Sequence, residues 1–380
     1  MKELFLLDSE ITYLNFGSFG ACPRPIFEDY IQWQYLLEKD PVHFITELGP
    51  INLDISKNAL SSYIHCESRN LIFTPNPTHA INLLVKSLKL NSGDEILTTN
   101  LEYGAMDKTW NFYSKECEWK YVQSNITLPI SSKEKFISEF WSGYSDKTKV
   151  VFISQITSAT GLILPVREIC DEARKRGLIT IIDGAHVPGH IPLNIEELNP
   201  DFYTGACHKW MMTPKGCSFL YVKEDFHQLL EPLIISWGYD EKIALNRLHE
   251  FHQFNGTRDF SAYLTIPAAL KFMNDYNWPE KSENCKNLLL KSAERLTQFL
   301  DSKPLAPLNK DFFGQLFSCP IRSNNPVQLK RTLFEKYKIQ IPVVESNSSV
   351  YLRFSLQAFN DEKDIDHLIH ALQDIGKENF

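Results

Sequence analysis

The residues able to do chemistry gather in "TGACHKWMMTPKG", Thr204–Gly216, where Lys209 follows His208 directly after an apolar-tending segment. A protonated lysine is a poor nucleophile; it becomes useful when its pKa falls or its product is stabilised. Lys215 lies between Pro214 and Gly216, in a turn where it is expected to be solvated. Lysines are mostly exposed, so the His208–Lys209 pair carries little by itself. Upstream, "LITIIDGAHVPGH" closes an apolar run with Asp183. A carboxylate ending a buried strand is costly unless a cation or a hydrogen-bond donor meets it, although it can equally cap the following turn. His186 and His190 follow at i, i+4 spacing, a zinc-like interval, but Pro188 and Gly189 between them argue against a shared helix face.

Asp183 and Lys209 stand one strand–connection–strand unit apart. Both side chains can therefore enter one crevice at the carboxyl ends of a sheet. An amine facing a carboxylate is the pair that pyridoxal phosphate requires. The amine holds the aldehyde as an imine, and the carboxylate keeps the ring nitrogen protonated. A phosphate site is offered by "TPNPTHAINLL", where Pro77 and Thr78 open a helix after a strand and His79 adds a donor. Free N–H groups and the positive dipole end favour an anion there; a plain N-cap threonine reads the same way. "FNGTRD", with Gly256 and Thr257, is a second small-residue turn that could serve.

The elements needed to position these groups are legible. "NLIFTPN", "DEILTTN", "EWKYVQ", "KVVFISQI", "LITIID", "DFYTGA" and "GCSFLYV" read as strands, alternating with helices such as "PTHAINLLVKSLKL", "EYGAMDKTWNFYSK" and "PVREICDEARKRG". Short apolar runs between helices predict a mainly parallel sheet covered on both faces. Before them, helices are expected over 25–47 and 53–65. From Ser261 a long helix, "SAYLTIPAALKFMNDYNW", leads into "SENCKNLLLKSAERLTQFLDS", then into a strand–helix–strand–helix set ending in "DEKDIDHLIHALQDIGK". The expected organisation is an N-terminal arm over 1–20 packed on the smaller domain, a large domain over 21–265 and a smaller α+β domain over 266–380.

The 380 residues, 43% of them hydrophobic, are ample for such cores. A net charge of -8 without basic runs argues against nucleic acid or an anionic membrane as partner. No stretch approaches the length of a membrane helix, and the apolar start is broken by Asp8 and Glu10, unlike a signal peptide. The 8 cysteines form no C-x-x-C pair and several sit in apolar-periodic segments, which predicts reduced thiols in a cytoplasmic protein.

Taken together, "YLNFGSFGACP", "NPTHAIN", "ISQITSATGLILPV", "IIDGAHVPGH", "HKWMMTPKG", "NGTRD" and "YLRFS" follow one family's order along nearly the whole chain. The sequence resembles the class V aminotransferase family of the pyridoxal phosphate fold-type I group, in its isopenicillin N epimerase-like, cysteine desulfurase-related branch. The resemblance implies an α/β fold with a mainly parallel seven-stranded sheet, pyridoxal 5'-phosphate as cofactor, no metal, and a homodimer with shared sites. It assigns Lys209 as the Schiff-base lysine and proton shuttle, and Asp183 as partner of the pyridine nitrogen. His186 would lie beside the ring, and Tyr103 would stack on its face. Thr78, His79 and His208 would serve the phosphate, and Thr257 would reach the phosphate of the partner subunit. Thr157 and Ser158 would lie near the phenolic oxygen, and Arg353 would grip the substrate carboxylate near Asn15. Ala206 departs from the serine or asparagine common three positions before the lysine. The loop "PVVESNSSVYLRFS" lacks the nucleophilic cysteine of the desulfurases, and Cys319 reads as core.

The expected activity is chemistry at the α-carbon of a small amino-acid substrate, a C–S β-elimination lyase or an epimerase ahead of an aminotransferase or desulfurase. Asn15, Phe16, Phe19, Trp237 and Tyr239 could wall its pocket or form a dimer interface. A non-catalytic homologue would have no need of Lys209, Asp183 and Arg353 together. A nicotinamide dehydrogenase would need G-x-G-x-x-G after an early strand, which "NFGSFG" does not supply.

Overall fold

The computed structural model describes residues 1–239, 247–346 and 348–376. Lys377, the end of the C-terminal helix expected from sequence, and Asn347 of the desulfurase-type loop lie outside them. Seven strands form the main sheet: β1 (Leu71–Thr74), β2 (Glu95–Thr99), β3 (Lys120–Ser124), β4 (Thr148–Ser154), β5 (Ile179–Gly184), β6 (Phe202–Ala206) and β7 (Ser218–Val222). Their order is β3-β2-β4-β5-β6-β7-β1. All neighbours run parallel except β7, which is antiparallel to both β6 and β1.

The continuous apolar runs are strands because both sheet faces are covered. Val150, Val151, Phe152 and Ile153 of β4 are fully buried, and each such side chain contributes about 1.5–3 kcal/mol by leaving water. The covering helices are amphipathic at helical spacing. The helix Val166–Lys175 buries Val166, Ile169, Cys170 and Ala173 and leaves its acidic and basic residues outside.

A second sheet of three antiparallel strands carries β8 (Leu316–Ile321), β9 (Val343–Ser346) and β10 (Ser349–Ser355) in the order β9-β10-β8. The N-terminal segment is stitched to it. Thr12 and Tyr13 pair with Ile339 and Gln340, Ser355 N–H donates to Leu14 O at 2.9 Å, and Gly17 N–H donates to Ser355 Oγ at 2.9 Å.

Some elements differ from expectation. The long helix from Ser261 is two, Ser261–Leu264 and Ile266–Asp275. Pro267 has no N–H for the preceding turn, so the ladder breaks at Thr265. The helix expected over 25–47 stops at Lys39, before Pro41. A helix over Lys133–Trp141, capped by Ser132, joins the expected elements, and part of the loop expected before Arg353 is strand β9.

At the carboxyl ends of β2 and β4, Glu102 is buried. Its carboxyl accepts from Thr99 Oγ1 at 2.7 Å, Ser154 N at 3.0 Å and Ser154 Oγ at 2.6 Å. Burial raises its pKa to about 8, against those hydrogen bonds and with help from the Asp183 charge. Gly20 closes the segment Asn15–Gly20 with φ +66°, and a Cβ there would lie 2.4 Å from His208 O and 2.6 Å from Lys209 O.

Two outcomes follow from these contacts. Between the unfolded carboxyl pKa of 4.5 and about 8, folded Glu102 keeps a proton that the unfolded chain has lost. Its contribution to stability therefore declines as pH rises through that window, and urea titrations of wild type against Glu102→Gln should differ with that sign. Gly20→Ala adds left-handed strain of ~1–3 kcal/mol to a backbone clash, so its urea midpoint should fall with the m-value unchanged.

Candidate active site

Strands β1, β2, β4, β5 and β6 deliver functional residues at one edge of the main sheet, where ligands of such sheets bind. The turn after β1 opens the helix Pro77–Ser87. Asn76 caps it, its side chain accepting from His79 N at 2.9 Å. That leaves Thr78 in a first turn whose N–H groups have no intrahelical partner. Tyr103 follows β2 as the residue preceding the helix Gly104–Glu116. Ser158 follows β4, Asp183 lies in β5, and His208 and Lys209 follow β6. Parallel pairing of β5 with β6 sets Asp183 beside Thr204 and Gly184 beside Gly205.

These residues line one cavity of about 160 Å3, with Ser18 and Phe19 closing it from the N-terminal segment. Its lining includes Thr78, Tyr103, Ser158, Asp183, His186, His208 and Lys209. Three other described cavities are larger, but none of them holds Lys209 or Asp183. Among the described residues, Lys209 is the only amine in the lining and no cysteine lines it.

Desolvation dominates the electrostatics of the site. Burial lowers Lys209 to about 8; Asp183 opposes that shift and Arg353 adds to it. Burial also raises Asp183, outweighing the N–H of Ala185, which donates to Oδ1 at 2.9 Å, and the pull of Lys209. Desolvation thus exceeds mutual attraction on both partners. Lys209 Nζ instead lies 3.0 Å from His186 Nε2. His186 is held well below its ordinary value by burial and by the neighbouring cations Lys209 and Arg353.

Arg353 of β10 is buried and reaches across from the second sheet. It donates from Nη1 to Ser158 O at 2.5 Å and from Nη2 to Ser18 Oγ at 2.6 Å. Burial lowers it to about 10, so it stays cationic at neutral pH. Ser18 Oγ donates in turn to Asn15 Oδ1 at 2.5 Å. Asn15 therefore sits behind Ser18, outside the cavity lining. His208 Nδ1–H donates to Cys217 O at 2.8 Å, and burial lowers that ring to about 4.

Besides Asn15, two residues expected at the site, Thr157 and His79, are elsewhere. Thr157 is fully buried with Oγ1 bound to Thr160 Oγ1 at 2.5 Å and to Leu162 N at 2.9 Å, because it closes the turn after β4. His79 faces a separate small crevice with Thr74, His252 and Asn255. Thr257, expected to reach the phosphate of a partner subunit, is exposed and stands apart from this chain's own cavity. Of the aromatic residues, Phe16 is buried against Trp210, with ring centroids 5.2 Å apart, and Tyr239 packs on Phe251. Trp237 is 98% exposed. Cys319 lies in β8 with its thiol toward Ser302, and burial pushes it up to about 12. His190 commits both ring nitrogens to hydrogen bonds, to His186 O and from Gln315 N.

The sequence reading passed over Glu102 and Ser18. Glu102 carried the signal used for Asp183, an acid just past an apolar strand. Ser18 had none, since its contact to Arg353 joins residues far apart in the chain.

Comparison with known proteins accords with this geometry. The family model described as aminotransferase class-V matches residues 51–368. The chain is 30% identical over 392 residues to isopenicillin N epimerase of Amycolatopsis lactamdurans, covering 99% of this chain and 98% of that protein. It is 25% identical to hercynylcysteine sulfoxide lyase of Schizosaccharomyces pombe, with 98% and 96% covered. Among solved structures, a cystine C-S lyase in complex with its product cysteine persulfide superposes with a TM-score of 0.84 at 22% identity, over 97% of this chain and 98% of that one. With its lysine and carboxylate lining one buried cavity at the sheet edge, the chain belongs to the class V aminotransferase family of pyridoxal-phosphate-dependent enzymes.

Proposed function

We propose that the protein is a lyase that removes a β-sulfur substituent from a cysteine-derived amino acid. The observation carrying this reading is that Lys209 is the one amine among the described residues of a cavity that shares Asp183 with it and has Arg353 at its rim. One base serves an elimination, in which the same amine removes a proton and returns it.

The donor set suits the cofactor. Asp183 suits the pyridine nitrogen, Lys209 the aldehyde, and the first turn at Thr78 the phosphate. His208 can join it as an imidazolium, since its Nδ1–H is already given to Cys217 and an arriving dianion favours the charged ring. When bound, pyridoxal phosphate supplies an electron sink that stabilises negative charge at the substrate α-carbon.

The chain's own residues do the rest. Arg353 turns its planar fork from Ser18 and Ser158 to the substrate carboxylate and fixes the Cα–H bond toward the amine. Lys209 takes the α-proton as general base. The electron pair forms the Cα–Cβ double bond as the Cβ–S bond breaks. The sulfur leaves with the bonding pair and takes a proton from the Lys209 ammonium. The unsaturated amine then hydrolyses to a keto acid and ammonium.

Epimerisation is the second reading, favoured by the phenol of Tyr103 in the same cavity. Persulfide chemistry is disfavoured because Cys319 is a protonated core thiol and no cysteine lines the cavity. The arrangement also supports a homodimer. Thr257 stands exposed for a partner's site, and Tyr35, Val42, Ile51 and Ile55 expose apolar surface on neighbouring helices. A division into an arm over 1–20, a cofactor domain over 21–265 and a substrate-gripping domain over 266–380 fits Arg353 on β10. Among the described residues the cysteines are all free and no helix is long and apolar enough to cross a membrane, in keeping with a cytoplasmic enzyme.

The test is incubation of the purified, cofactor-loaded protein with cystine, S-substituted cysteines and their sulfoxides. Pyruvate and a released sulfur product should appear; inversion of the α-centre without keto acid would select the epimerase, and neither product would sink the elimination. Lys209→Ala should lose the visible absorption band and turnover together. Arg353→Lys should raise KM roughly 10- to 100-fold, the equivalent of ~1.5–3 kcal/mol for charged hydrogen bonds, with a smaller change in kcat.

A further inference from the structure

Behind the amine lies a chain of hydrogen bonds whose directions are all determined. Trp210 is fully buried, and its indole Nε1–H lies 3.3 Å from His186 Nδ1. An indole N–H can only donate, so Nδ1 of His186 must accept. A neutral imidazole with an accepting Nδ1 carries its proton on Nε2. Nε2 is the atom 3.0 Å from Lys209 Nζ. The proton between them therefore belongs to the histidine, and Lys209 must offer a lone pair. An ammonium has none.

The indole is itself fixed from behind. His190 stacks on Trp210 at 3.9 Å between centroids, 22° from parallel. Its Nδ1–H donates to His186 O at 2.8 Å, and its Nε2 accepts from Gln315 N at 2.5 Å. Gly314 leaves room for that ring, since a Cβ there would lie 2.2 Å from His190 Nε2. The relay thus runs from the backbone beside β8 through His190 and Trp210 to His186 and the amine.

We propose that Trp210 is a positioning residue: by fixing His186 as the Nε2–H tautomer it favours the neutral form of the Lys209 amine, the form that attacks an aldehyde. The tautomer rests on hydrogen-bond geometry alone; the purpose of the neutral amine rests on the functional reading above. The charged and titratable groups around the pair are Asp183 and His190 from β5 and its loop, Glu102 beside Asp183, His208 before the lysine, and Arg353 from β10. Burial and the Arg353 charge also lower Lys209, against the pull of Asp183. Replacing the indole by phenylalanine keeps an aromatic ring against His190 and removes the donor. His186 can then carry its proton on Nδ1 and accept from an ammonium at Nε2, and a hydrogen bond to the charged form raises the lysine pKa.

Two measurements test this. Nitrogen-15 histidine spectra of the apoprotein near pH 9, above the Lys209 value of about 8, with His186→Gln for assignment, should give His186 as the Nε2–H tautomer. An Nδ1–H tautomer or an imidazolium there overturns the proposal without reference to any cofactor, and this readout stands even if Trp210→Phe fails to fold. The second is the pH profile of the rate at which apoprotein takes up pyridoxal phosphate, followed by visible absorption. The midpoint should rise by about 1 unit in Trp210→Phe and should not move further when Trp210→Phe is added to His186→Gln. An unchanged midpoint, or a shift that persists in the His186→Gln background, overturns the role given to Trp210. Failure of wild type to take up pyridoxal phosphate at any pH would sink the functional reading and the purpose of the amine with it, leaving the tautomer to the spectra.

Discussion

The site depends on keeping an amine and a carboxylate desolvated and close without letting them neutralise one another. In water the two would be charged and solvated. In direct contact they would form a buried ion pair with neither group free for a ligand. The sheet prevents both outcomes. Asp183 ends one parallel strand and Lys209 follows its neighbour, so backbone hydrogen bonding sets their separation. His186 stands against the amine and takes the place an ion pair would otherwise fill. Burial then acts on both groups in the same sense, lowering the lysine and raising the aspartate.

A second constraint couples the two sheets. Arg353 belongs to β10, yet its hydrogen bonds go to Ser158 at the edge of the main sheet and to Ser18 in the N-terminal segment. That segment is tied to β10 through Leu14, Gly17 and Ser355. It also touches the backbone of His208 and Lys209 at Gly20, where no side chain fits. The first 20 residues therefore join the substrate-facing cation to the loop bearing the amine. Movement of one sheet against the other would be felt at both ends of the cavity.

The strands were legible because their signal is local. Apolar runs of strand length between helices need two covered faces, and the seven read from the sequence are the seven observed. Asp183 stood out by the cost of burying an acid, and Lys209 by following the next strand. The same rule applied to Glu102 would have marked it. Thr157, by contrast, shares its tripeptide neighbourhood with Ser158, but only Ser158 turns to the cavity, because the turn after β4 needs a hydroxyl to hold Leu162. His79 points away because it lies one residue round the helix from Thr78, toward a different crevice.

By itself the sequence determined the alternation of elements, the sheet edge where chemistry gathers and the identity of its amine and acid, since these follow from short-range periodicity and the price of desolvation. The tertiary structure decided how those groups are charged. Which nitrogen of His186 carries the proton depends on an indole turned back toward it, and that indole is held by a histidine bonded to the distant Gln315. Tautomers and pKa values are set by neighbours within a few ångströms, and in this chain most of those neighbours come from far away in sequence.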